Sequence, residues 1–73
     1  FKQIQHEALK AARIVIDTHK RIELQPMNSA ERRAIHVLFQ DHSEIVSSSI
    51  GEGHNRRIVL EHRGTLLASD SEL

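Results

Sequence analysis

Over residues 1–19 the apolar positions recur at three- and four-residue steps: Ile4, Ala8, Ala11, Ala12 and Val15 share one side. Lys2, Gln5, Lys10, Arg13 and Asp17 fall largely elsewhere, so the spacing predicts an amphipathic helix. Ile14 and Ile16 are expected to widen its apolar face near the end. His19, Lys20 and Arg21 then place basic groups where a helix C-terminus favours them. Between residues 21 and 25 the period drops to two, with Ile22 and Leu24 on one side and Arg21, Glu23 and Gln25 on the other. That is a short half-buried strand, and Pro26 stops it because proline has no N–H for a ladder. Asn28 and Glu31 have capping-box spacing and open a second helix, with Ala34, Ile35, Leu38 and Phe39 as its core stripe through residue 39. After a break at Asp41, His42 and Ser43, two more strands are expected at 45–50 and 57–62. In the second, Ile58 and Leu60 alternate against Val59 and Glu61. A hairpin loop holding Gly51 and Gly53 joins them.

The order helix, strand, helix, strand, strand defines an α+β fold: two layers, with a three-stranded sheet and both helices on one face. Residues 1–63 make one domain. From Gly64 the pattern fails, and 64–73 is expected to be a flexible C-terminal tail. The chain has 73 residues, of which 38% are hydrophobic and 27% charged, the make-up of one small globular domain. It begins at Phe1 and is expected to be a piece of a longer protein. A domain this short buries only about 60% of its unfolded surface, so function is expected on a surface and not in a deep cavity. No apolar run approaches the roughly 20 residues of a membrane helix, and no membrane insertion by this segment is expected. With no cysteine, disulfides, thiolate metal sites and cysteine nucleophiles are excluded.

Candidate chemistry concentrates at the second helix. Arg32 and His36 are four residues apart and share a helix face, with Asn28 one turn before and Gln40 one turn after. Arg33 flanks this strip of donors. Arginine presents a fork matched to phosphate oxygens, and histidine adds a donor that becomes cationic in mild acid. Taken alone, the same spacing also describes an ordinary solvated helix face.

Further residues carry a resemblance to a known family. Pro26-Met27-Asn28, Glu31-Arg32-Arg33 and His36, followed by Gly51-Glu52-Gly53 and Arg56-Arg57-Ile58-Val59, resemble the Arg-x-x-x-His (R-3-H) domain. The form is the one at the C-terminus of bacterial Jag, SpoIIIJ-associated or KhpB proteins. The similarity runs through residue 63; Gln25 stands where an acidic residue is expected. The resemblance implies binding of single-stranded RNA or DNA, RNA being expected, with Arg32 and His36 as the signature pair. It also implies a preceding KH domain in the full-length chain, and a bacterial cytoplasmic setting.

Composition constrains how such a domain binds. Two phenylalanines are the only aromatic residues besides histidine, so there is no platform of exposed rings for stacking bases. Ten basic and ten acidic residues leave no formal net charge. Any attraction must be local, with Arg32, Arg33, Arg56 and Arg57 as candidates. Adjacent strand residues face opposite sides, so one of Arg56 and Arg57 is expected to join the helix strip, with a slight preference for Arg57. Protonation of His36 near 6.5 is expected to strengthen phosphate binding. The alternative reading is a protein–protein interaction module without nucleic-acid contact. An enzyme is not expected, for want of a nucleophile-elbow or phosphate-cradling motif. The six histidines lack zinc-type spacing, so neither a metal nor another cofactor is expected.

Overall fold

In a computed structural model of the protein, which describes residues 1–71, the predicted elements appear in the predicted order. Helix α1 (Lys2–Thr18) ends where His19 takes a left-handed conformation at φ 61°, its N–H donating to Val15 O at 2.8 Å. A non-glycine residue there is uncommon. Here the His19 ring stacks on that of His62, 3.8 Å between centroids and 17° from parallel. Helix α2 (Ser29–Phe39) starts on a complete capping box: Glu31 N–H donates to Asn28 Oδ1 at 2.8 Å, and Asn28 N–H to Glu31 Oε1 at 3.0 Å.

Strands β2 (Ile45–Ile50) and β3 (Arg57–His62) form an antiparallel hairpin. Its connection includes a 3-10 turn at Gly53–Asn55. Strand β1 has only two ladder residues, Ile22–Glu23, because Pro26 cannot donate. Leu24 and Met27 still donate to Ile58 O and Arg56 O, so the segment follows β3 beyond its formal end. The sheet order is β1-β3-β2, which puts β3 in the centre.

Register fixes the faces. Ile45, Ser47 and Ser49 lie opposite His62, Leu60 and Ile58, on the side carrying both helices. There Ala8, Ala12 and Val15 of α1 and Ile35 and Phe39 of α2 pack with Met27, Ile45, Ile58 and Leu60 in one core. Ile16 reaches this core but Ile14 does not: it is 52% exposed, so the apolar face of α1 is narrower than its sequence suggests. On the other face Val59 is also fully buried, opposite Glu23 and Ser48 in the two ladders.

The stretch 64–73, expected as a tail, is instead helical as far as Ser71: α3 (Arg63–Ser71) follows β3 directly, and Glu72 and Leu73 lie outside the described residues. Its start is tied down, because Arg63 N–H donates to Glu44 O at 2.7 Å and Gly64 N–H to His62 Nδ1 at 3.0 Å. Leu66 is half-buried. No described helix is long and apolar enough to cross a membrane.

Truncating the core at Ile35→Ala is expected to cost about 2–5 kcal/mol. That is comparable with the roughly 3–5 kcal/mol a single core of this size supplies, so urea denaturation followed by circular dichroism should find the variant largely unfolded. Gly51→Ala is a local counterpart. Gly51 has φ +86°, and an added Cβ would lie 2.7 Å from Asn55 O. It should lower the unfolding free energy by at least about 1 kcal/mol.

Candidate nucleic-acid interface

Along α2 the 3.6-residue period sets Arg32, His36 and Gln40 in line, and the core contacts of Ile35 and Phe39 fix which side faces outward. The Arg32 guanidinium is tied back to the backbone before α2, its Nη1 donating to Met27 O. His36 bridges to the sheet: its Nδ1 lies 2.8 Å from Ser47 Oγ and its Nε2 3.0 Å from Ser49 Oγ. Both ring nitrogens are therefore satisfied within the protein. Arg56 reaches the same place from the loop before β3, its Nη1 donating to Gly51 O at 2.8 Å.

Together Arg32, Arg33, His36, Gln40, Ser49 and Arg56 line an open depression of about 640 Å³, and no carboxylate takes part in its wall. Arg32 also borders a second depression of about 530 Å³, between the start of α2 at Asn28 and the turn at Gly53 and His54. A continuous surface thus runs from the α2 cap to Gln40. At its start the Asn28 carbonyl oxygen is committed to the cap, which leaves that side chain's amide as the donor it can offer.

The two adjacent arginines separate, in the opposite sense to the one preferred from sequence. Arg56 joins the strip, whereas Arg57 lies on the far face of the sheet with Val59. There Arg57 Nε and Nη2 both contact Glu23 Oε1 at 2.8 Å, and Nη1 donates to Asn55 O at 2.9 Å. The pleat explains this. The helices cover the face of Ile58 and Leu60, and Arg56, continuing the extended backbone, shares their parity. Ser47 and Ser49 carry no motif that marks them as site residues, but strand parity assigns them: with Ile45 in the core, residues 47 and 49 also face the helix side.

Burial lowers the His36 pKa below 6.5, and the positive charges of Arg32 and Arg56 add to that effect. This overturns the expectation that His36 becomes cationic near 6.5; the ring stays neutral to lower pH. The linkage has a definite sign. A depressed pKa in the folded state means that the unfolded chain binds the proton more readily below 6.5. Stability contributed by neutral His36 is therefore complete above that value and is lost as pH falls through the folded value.

Residues 2–62 match the family model described as the R-3-H domain, and the chain belongs to that family. It is 41% identical over 58 residues to the RNA-binding protein KhpB of Bacillus subtilis (strain 168). That alignment takes in 77% of this chain and 28% of the relative, so the chain spans a minor part of the protein it matches.

An NMR pH titration should show the His36 ring titrating below the ordinary histidine value of about 6.5. In His36→Gln, the decline of the urea midpoint between pH 7.5 and acid should be shallower than in the parent. A His36 ring titrating at or above 6.5 would contradict the account of its surroundings.

Proposed function

We propose that this domain binds single-stranded nucleic acid, RNA foremost, by gripping backbone phosphates along α2. The observation that carries the reading is the depression itself. Three guanidinium groups, from Arg32, Arg33 and Arg56, converge there with Ser49 and no carboxylate, in a chain with no net charge. Guanidinium forks suit phosphate oxygens, and a shallow open site suits an extended strand better than an enclosed small molecule. Membership of the R-3-H family and likeness to a protein named as RNA-binding support the same conclusion.

Binding, not catalysis, is the role proposed. A serine beside a histidine invites comparison with a hydrolase, but His36 divides its two nitrogens between two hydroxyls. A triad would have a carboxylate on one of them to orient the ring. With few phosphate contacts and no aromatic platform, the isolated domain binds weakly and with little sequence preference. Linkage to a KH domain in a longer cytoplasmic protein would raise the effective concentration of each module for the same strand.

Fluorescence anisotropy with a short labelled single-stranded RNA tests this reading. For about two to four phosphate contacts, log K should fall against log salt with a slope of roughly −0.7 per contact. Arg32→Ala and Arg56→Ala should each weaken binding and flatten the slope by about one contact. Arg57→Ala, on the other face, should bind as the parent does. No association at low salt would sink the proposal and leave a protein-interaction role as its replacement.

A further inference from the structure

The bridge from His36 to two serines has a consequence for how the depression receives an anion. This step rests on the phosphate-binding reading above. A neutral imidazole carries one N–H and one bare nitrogen, and each serine hydroxyl has a single proton to donate. Because Ser47 sits on Nδ1 and Ser49 on Nε2, the two tautomers are not equivalent towards the groove.

With the proton on Nδ1, the ring donates to Ser47, and the bare Nε2 accepts a hydrogen bond from the Ser49 hydroxyl. Ser49 then offers only lone pairs. With the proton on Nε2, the ring donates to Ser49 and accepts a hydrogen bond from the Ser47 hydroxyl instead, which frees the Ser49 hydroxyl to donate outward. The number of protons is the same in both states. Ser49 lines the depression beside Arg32, Arg33 and Arg56, whereas Ser47 does not. An ionised phosphate oxygen can only accept, so lone pairs facing it repel and a hydroxyl proton binds it.

We infer that Ser49 is a phosphate-contacting donor of this site and that His36 is its positioning residue, a bound phosphate selecting the Nε2–H tautomer of His36. The signature histidine then acts through the serine. It remains neutral, and the positive charge of the site comes from the arginines. A hydroxyl on β2 and guanidinium groups from α2 and the Arg56 loop thereby converge on one anion.

The experiment uses the 73-residue chain at pH 7.5 with a short single-stranded oligouridylate. Ring ¹⁵N shifts of His36 are recorded with and without the oligonucleotide, and affinities are measured for Ser49→Ala and Ser49→Thr. The expected result is a His36 ring protonated on Nε2 in the complex, with Ser49→Ala binding about three- to tenfold more weakly. Ser49→Thr, which keeps the hydroxyl on a strand that accepts β-branched residues, should bind within about twofold of the parent. Parent-like affinity in Ser49→Ala, or a complexed His36 protonated on Nδ1 alone, overturns the inference and leaves the phosphate reading standing. Failure of the parent chain to bind at low salt removes that reading, and the inference with it. The ring shifts come from the unmodified protein, so the inference stays testable even if a Ser49 variant folds poorly.

Discussion

The imidazole of His36 joins α2, which carries Arg32 and Arg33, to β2, an edge strand of the sheet. Its position follows from burial: Ile35, next to it, is fully inside the core and orients this turn of α2. The ring is thereby brought down onto β2, where two serines supply the partners that a half-buried imidazole requires. Once that bridge is made, the separation of α2 from β2 is set, and with it the width of the depression between them. The low proton affinity of the ring belongs to the same arrangement, since Arg32 and Arg56 crowd it from two sides.

Zero net charge does not mean that charge is evenly placed. Glu23 and Glu61 share a sheet face with Arg57, opposite the helices, and Glu23 ties up Arg57. Arg32, Arg33 and Arg56 stand on the helix side without an acidic neighbour in the wall of the depression. A phosphate approaching that side meets a positive local field, and at physiological ionic strength screening over about 8 Å leaves the far face little influence.

Much of this was legible in the chain. The helix stripes and strand alternation reproduce the core because one periodic face must be buried, and Asn28 with Glu31 marks the start of α2 through a local hydrogen-bond pattern. Other features depend on contacts distant in sequence. Ile14 is apolar but faces outward, because α1 is narrow at its contact with the sheet and Ala8, Ala12 and Val15 already fill it. His19 adopts a conformation suited to glycine while stacked on His62, a residue 43 positions later. Helix α3 has a weak pattern of its own and is anchored at its start by Glu44 and His62. At the site, strand parity assigns Arg56, Ser47 and Ser49 to the helix side, given which face the helices cover. That face is decided by packing, not by any local motif.

The position of β3 has a consequence for how this domain is made. It is the central strand and also the last of the three in sequence, and β1 and β2 do not touch except through it. A ribosome that has released everything up to Asn55 has supplied both outer strands and both long helices, but nothing for either strand to pair with. Sheet, core and groove are therefore completed together once β3 emerges. Until then the nascent chain carries an unpaired β2 with no charged residue between Ile45 and Ile50, a segment prone to wrong pairing while it waits.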